Sequence, residues 1–259
     1  MNDYYTITEL PGTQVTELQI RRSYQRYTFA SNLIKGGYVL EVGCGGGQGL
    51  SLLNKNAEKV IGCDIDKNNL KIAQSTYRNS DSIDIIEMDA EMIDFEKNYF
   101  DYIILFEAIY YIKDVNNFLT KCFELLRNKG ELIICTANKD WPDFNPSAFS
   151  TKYFSVPELT ILLEKAGFVV STYGGFPDNK GGIITRILSL IKRVAVKYQL
   201  MPKTMKGKLL LKKFFQGNIV RFPKILDDNL FPFEEPKKIP NDEIDNIHTA
   251  IFAVCTRNS

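Results

Sequence analysis

The 259-residue sequence holds one histidine, His248, and five cysteines without a pattern. Cys44, Cys63, Cys122, Cys135 and Cys255 are odd in number and show no CxxC or Cys/His ligand spacing. That argues against a disulfide framework or a zinc site and for a reducing compartment, so no metal centre is expected. No run approaches the roughly 18 consecutive apolar residues of a membrane span. The opening Met1-Asn2-Asp3-Tyr4-Tyr5 lacks the basic and apolar regions of a secretory signal. Net charge is only +1, so bulk charge names no partner. These absences lead us to expect a cytoplasmic protein.

Apolar residues make up 44% of the chain, enough for a substantial core. Residues 17–33 read as a helix closed by Gly36-Gly37, and helices recur at 50–55, 67–79, 114–128 and 155–166. Between them lie apolar strands at 38–42, 60–64, 83–88, 102–106, 132–136 and 168–173, with a turn at Asn128-Lys129-Gly130 and a last strand over 249–255. Alternating strands and helices imply a Rossmann-like α/β fold: a seven-stranded, mostly parallel sheet covered on both faces, with a helical insertion before the last strand. We divide the chain into a helical cap (1–37), an α/β core (38–176), a basic insertion (177–245) and the last strand (246–259).

The loop after the first of these strands reads Glu41-Val42-Gly43-Cys44-Gly45-Gly46-Gly47-Gln48-Gly49. Its glycines permit close backbone approach to a ligand. No register fits the dinucleotide fingerprint GxGxxG; the pattern is E-x-G-x-G-x-G. Asp64 ends the next strand 23 residues after Glu41, where a carboxylate can accept from both ribose hydroxyls. It could instead cap the following helix, since Asp66 and Asn68 are nearby. Asp89 follows the third strand. A pyrophosphate site would favour bare helix amides, whereas a ligand with sulfonium and ammonium groups tolerates Glu41.

The segments VLEVGCGGGQG (39–49), VIGCDID (60–66), MDAEMIDFEKNYFDYIILFEAIYYI (88–112), LLRNKGELII (125–134) and ELTILLEKAGF (158–168) resemble, in order and spacing, those of the class I S-adenosylmethionine-dependent methyltransferases that act on small molecules. The resemblance implies S-adenosylmethionine as cofactor and an antiparallel last strand. It places Gly43, Gly45 and Gly47, with Gln48 in the same loop, around the methionine part. It places Glu41 near the ammonium, Asp64 on the ribose, Ile65 on the adenine, Asp89 and Ala90 at the adenine amino group, and Phe106 beside the sulfonium. Arg26 or Tyr27 would reach the methionine carboxylate. The Asn-Pro-Pro-Tyr motif of members acting on planar amines is replaced here by Phe106-Glu107-Ala108-Ile109-Tyr110-Tyr111, and the histidine many relatives carry near position 111 is a tyrosine.

Methyl transfer is an in-line displacement governed by positioning, and a hydroxyl acceptor also benefits from a base. Candidate catalytic residues are Glu107, Tyr111 and His248, against bland readings as loop-ordering carboxylate, core aromatic and strand-edge residue. Trp141, Phe144, Phe149, Tyr153 and Phe154, after the fifth strand, could present aromatic faces to a sugar or fold on one another. Residues 177–225 carry twelve Lys and Arg against one acid, and 183–198 fit a basic amphipathic helix with Lys192 and Arg193 on its polar side. That helix could be a lid, a peripheral membrane contact or an ordinary solvated face. The expected activity is O-methylation of a sugar or similar metabolite, phosphorylated or nucleotide-linked. The alternatives are N- or C-methylation of another small metabolite, an NAD-binding protein, and a nucleic-acid-binding module. No nucleic-acid partner is expected, because no recognition motif supports one.

Overall fold

The computed structural model describes residues 8–147, 149–178 and 218–258. A short strand, β1 (Gln14–Thr16), leads directly into α1 (Glu17–Leu33). The helix starts where it does because of a capping box. The Thr16 hydroxyl accepts from the Gln19 amide at 3.3 Å, and the Gln19 side chain accepts from the Thr16 amide at 2.9 Å. It stops at Ile34, ahead of Gly36 and Gly37, which both take positive φ. A Cβ at Gly37 would collide with the Asp101 carboxylate, which takes the Tyr38 amide at 2.8 Å.

The core then alternates β2 (Tyr38–Val42), α2 (Leu50–Asn54), β3 (Lys59–Asp64), α3 (Lys67–Tyr77), β4 (Ile83–Glu87), β5 (Phe100–Phe106), α4 (Val115–Leu125), β6 (Leu126–Ala137), α5 (Val156–Lys165) and β7 (Phe168–Pro177). Three strands close the order: β8 (Ile219–Arg221), β9 (Lys237–Ile239) and β10 (His248–Arg257). Strands β2 to β6 are parallel to one another, and β10 lies antiparallel between β6 and β7, with Ile251 facing Thr136 on one side and Gly174 on the other.

Period-two alternation splits each central strand between two cores. Ile103 and Leu105 of β5 join the cluster that holds Phe118 of α4 and Leu159 of α5. Ile104 and Phe106 join the opposite cluster with Tyr27 of α1 and Leu50 of α2. In β10, Ile251, Ala253 and Cys255 take the first side, and Ala250, Phe252 and Val254 the second. Helices thus cover both faces.

Three expectations need correction. Among the described residues the sheet has eight strands, in the order β4-β3-β2-β5-β6-β10-β7-β9, not seven. The extra edge strand comes from inside the expected insertion and pairs antiparallel with β7. Its brevity and its two lysines suit an edge. The turn at 128–130 falls within the span of β6, with Lys129 at φ 65° and a register shift opposite Phe100–Tyr102. The rest of 218–245 is not helical: β8 pairs with β1, and Phe222 and Leu226 are buried against the α1/α2 side. The expected helix at 183–198, with Lys192 and Arg193, lies outside the described residues. No helix among the described residues is long and apolar enough to cross a membrane.

Candidate active site

The carboxyl ends of the parallel strands open into a cavity of about 890 Å³ beneath one face of α1. Ligand crevices of this architecture lie at that end of the sheet. The glycine loop forms its floor. Gly43 and Cys44 donate to the Cys63 carbonyl at 2.8 and 2.9 Å, which ties the loop to β3. Gly45, at φ 56°, turns its amide onto Asp64 Oδ2 at 2.9 Å. Gly43, Gly45 and Gln48 line the cavity; Gly47 does not. A Cβ at Gly47 would press on Ala73 at 3.0 Å and on Tyr77 at 3.1 Å, so this glycine serves close packing with α3.

Asp64 is buried at the cavity wall and is not the helix cap. That role belongs to Asp66, which accepts from the Asn68 amide at 2.8 Å. Asp64 Oδ1 takes the Asp66 amide at 2.8 Å and Asn69 Nδ2 at 3.4 Å. Burial raises the Asp64 carboxyl above the usual range, against the pull of these donors. Asn69 leaves its own Oδ1 buried and unpartnered on the same wall. Ile65, Asp89 and Ala90 line the cavity farther along, and Asp89 is held by the Glu91 amide at 2.9 Å.

Glu41 is fully buried and lies off the cavity wall. Its Oε1 takes the Tyr27 hydroxyl at 2.6 Å and its Oε2 has no partner. Burial pushes its carboxyl up to about 8, with the Tyr27 hydrogen bond pulling back.

At the other end, Phe106 lines the cavity edge-on to Tyr27, with ring centroids 5.2 Å apart. Glu107 follows at φ 51° and lines the cavity with a doubly engaged carboxylate. Arg26 donates to one oxygen at 3.2 Å, and the Tyr110 hydroxyl to the other at 3.0 Å. Burial, the largest single influence, lowers Arg26, but Glu107 together with smaller contributions from Cys135, Glu9 and Tyr27 holds the guanidinium above its ordinary value. Tyr111 lines the cavity with its hydroxyl 2.7 Å from Ser147 Oγ. Burial raises both Tyr110 and Tyr111, so they stay protonated near neutrality and neither is a base.

His248 is not part of this site. Its Nδ1 sits 2.6 Å from Asp245 Oδ2, and the carbonyls of both residues accept from Asn138 Nδ2, which fastens the start of β10 to the end of β6. Of the aromatic rings after β6, Phe144 and Tyr153 pack on each other and Phe149 is exposed. Tyr153 stacks on Tyr110 at 4.4 Å and meets Phe144 at 4.7 Å, while Trp141 bonds Asp178 at 2.9 Å. Among the described residues of that segment, only Ser147 reaches the wall.

Sequence reasoning missed several wall residues. Thr8 and Glu9 fold across the glycine loop, where the Glu9 carbonyl accepts from Gln48 Nε2 at 2.5 Å and its carboxylate from Gln19. Nothing in their local pattern announces this. Asn69 had a readable signal, its place at the first turn of a helix following Asp64. Arg22 had one too, a helical turn before Arg26.

Comparison with known proteins bears on this geometry. A methyltransferase-domain family matches residues 40–134. A "probable S-adenosylmethionine-dependent methyltransferase" of Mycolicibacterium smegmatis is 31% identical over 175 residues, 64% of this chain and 66% of that protein. The chain belongs to the class I S-adenosylmethionine-dependent methyltransferases. A ubiquinone biosynthesis O-methyltransferase of Dinoroseobacter shibae is 28% identical over 187 residues, 66% of this chain and 73% of that one. The chain spans about half to three quarters of the length of the curated relatives it matches. The crystal structure of a methyltransferase of Thermotoga maritima, a "possible histamine N-methyltransferase", superposes with a TM-score of 0.60 at 16% identity, over 93% of this chain and 92% of that one. At that identity the likeness speaks for the fold. Family membership removes the NAD-binding alternative.

The cavity fits S-adenosylmethionine. Its volume lies at the upper end for ligand pockets, about 300–1,000 Å³, room for a nucleoside and an acceptor beside it. A Cβ at Gly45 would come within 3.2 Å of Thr8 Cγ2, so the floor tolerates no side chain there. The orphaned Asn69 oxygen beside Asp64 offers ribose hydroxyls a second acceptor.

Proposed function

We propose that the protein transfers a methyl group from S-adenosylmethionine to a hydroxyl oxygen of a small metabolite. When bound, the cofactor supplies a methyl group on a positively charged sulfur. Asp64 would hold its ribose, with Ile65, Asp89 and Ala90 about the adenine, as the family resemblance implies, and the unpartnered oxygen of Asn69 beside Asp64 would accept from a second ribose hydroxyl. Phe106 presents an apolar wall where the methyl is displaced. One observation carries the choice of oxygen: Glu107 is fixed on the cavity wall by Arg26 and Tyr110. In that position Glu107 would accept the hydrogen bond of an acceptor hydroxyl and take its proton as the oxygen receives the methyl group released by the sulfur. The Tyr111–Ser147 pair donates to a neighbouring oxygen and sets the angle of approach. The O-methyltransferase names among the relatives support the same choice. Of the sugar-like acceptor expected from sequence we keep the hydroxyl and drop the aromatic platform, whose rings face each other.

The test uses S-adenosylmethionine carrying a carbon-13 methyl, incubated with a fractionated metabolite extract. Mass spectrometry finds the labelled product, and carbon NMR separates methyl on oxygen from methyl on nitrogen or carbon. Label on oxygen is expected. Label on nitrogen or carbon, or no transfer from any fraction, overturns the reading.

A further inference from the structure

We propose that Arg22 is the receptor for an anionic group, a carboxylate or a phosphate, on the methyl acceptor. The inference rests on the methyltransferase reading and extends it to the acceptor's charge.

Arg22 and Arg26 stand one turn apart on the face of α1 that roofs the cavity, and both line it. Their situations differ. Arg26 is neutralised by Glu107 at 3.2 Å. Arg22 makes no hydrogen bond or ion pair among the described residues, and its Nε is buried without a partner. The carboxylates whose field reaches it are committed elsewhere: Glu107 to Arg26 and Tyr110, Asp178 to Trp141, and Glu9 to Gln19. Its guanidinium lies over the ring of Phe176, 5.5 Å from the centroid, a contact that uses none of its N–H donors on an acceptor oxygen. Burial, followed by the charge of Arg26, lowers its proton affinity. A cation taken out of water without a counterion is costly, and the cost is relieved when an anion enters. The fork of donors suits a planar carboxylate or a phosphate.

Topology says which ligand brings the anion. The nucleoside-binding acids lie on one side of β2: Asp64 on β3, and Asp89 just past β4. Arg22 rests against Phe176 at the end of β7, beyond β5, β6 and β10 on the opposite side. That half of the crevice, past Phe106 and Glu107, is where an acceptor must lie to meet the methyl group. Phe176 takes φ 57°, so its ring is held at this spot by a turned backbone at the strand end.

The experiment uses nitrogen-15-labelled full chain saturated with S-adenosylhomocysteine, with phenyl phosphate and benzoate as probe anions. The Arg22 Nε resonance, assigned by its loss in Arg22→Gln, is followed during titration. A saturable shift with at least one probe is expected. Arg22→Gln should weaken that binding roughly ten- to hundredfold, followed through Arg26 Nε and backbone amides, the range for a hydrogen bond to a charged group. Arg22→Lys, a point charge in the same place, should fall between. S-adenosylhomocysteine affinity should stay within twofold in both variants. Titrations that never saturate, or that are unchanged in Arg22→Gln, overturn the inference. So does competition between probe and S-adenosylhomocysteine, which would give Arg22 to the cofactor's own carboxylate. Failure of the wild type to bind S-adenosylhomocysteine at all would instead sink the methyltransferase reading, and this inference with it.

Discussion

Glu41 supplies a test in which one carboxyl group links pH to both stability and binding. It is 1% exposed, accepts one short hydrogen bond from Tyr27 and leaves its second oxygen unpartnered. Burial, with a smaller push from Asp64, raises it from an ordinary 4.5 to about 8, while Tyr27 and Arg26 pull the other way. Because the folded value is raised, the folded state holds the proton more tightly than the unfolded chain does. The stabilisation is complete below the unfolded value of 4.5, declines as pH rises and is gone above about 8. Inside that window the slope approaches about 1.4 kcal/mol per pH unit. Glu41→Gln copies the neutral acid and cannot titrate. The unfolding free energy of the wild type minus that of the variant should therefore fall by about 1.4 kcal/mol per unit across the window. With a urea slope of about 3 kcal/mol/M, that is about 0.5 M in midpoint per unit. Urea curves for both proteins at five pH values from 5 to 9 check it, and parallel behaviour across the range refutes the argument.

The same proton reports on the cofactor. A ligand bearing sulfonium and ammonium charges near this carboxyl favours its ionised form. Binding of S-adenosylmethionine between pH 6 and 8 should release a proton and tighten as pH rises in the wild type. Calorimetry in buffers of unequal ionisation enthalpy reads that release directly. Equal proton release in wild type and Glu41→Gln would show that another group supplies the proton.

Asp64→Asn should weaken S-adenosylhomocysteine by about 1.5–3 kcal/mol, because the carboxylate both faces the cavity and holds the Gly45 amide; unchanged calorimetric affinity in a folded variant would remove Asp64 from the site. Gly49→Ala should cost about 1–3 kcal/mol in urea unfolding, since a Cβ there falls inside the Tyr27 ring; wild-type stability would mean that α1 yields without strain. His248→Ala should lower stability by about 1–3 kcal/mol through loss of the bond to Asp245, with turnover unchanged; a large fall in turnover at intact stability would return the histidine to the chemistry. Glu107→Gln and Tyr111→Phe should each cut turnover on the identified acceptor while S-adenosylhomocysteine affinity stays within twofold; full turnover in both would end the catalytic assignment.

Sequence was most informative where the determinants are local. The capping pair Thr16 and Gln19, with Gly36 and Gly37 beyond, delimits α1 to the residue. The E-x-G-x-G-x-G loop and the acids at two successive strand ends point to the cavity because each feature acts through its own backbone. Features made by distant residues were not readable. Nothing near Thr8 or Glu9 says that this segment crosses the glycine loop, since the contact is made by Gln48 about forty positions on. Strand β9 is three residues long and exists only because the edge of β7 accepts it. His248 misled because it is the only histidine, and isolation in sequence says nothing about position. Its Asp245 partner three residues earlier was the better clue, since a side-chain hydrogen bond at a strand start is a fastening. The glycine triplet also divides by neighbour: Gly45 lines the cavity and Gly47 turns toward α3, a distinction set by Ala73 and Tyr77.

The two halves of the crevice are built by different means, and this bears on where specificity resides. On the side where we propose that the nucleoside binds, the two acids are fixed by backbone amides: Asp64 by Gly45 and Asp66, Asp89 by Glu91. Those amides belong to strand ends and to the first turns that follow, so the arrangement is rigid and indifferent to the acceptor. On the other side the fixed groups are side chains held by side chains: Glu107 by Arg26 and Tyr110, Tyr111 by Ser147, Arg22 by the face of Phe176. Each such pair can be changed without moving the sheet. Substitution there should therefore alter which molecule is methylated while donor binding survives, and substitution at Asp64 or Gly45 should abolish transfer to every acceptor alike. The difference can be read in one data set: the ratio of rates on two acceptors should move for variants of Arg22 or Tyr111 and stay constant, while both rates fall, for variants of Asp64. A constant ratio across both groups would mean that the acceptor is chosen outside this cavity.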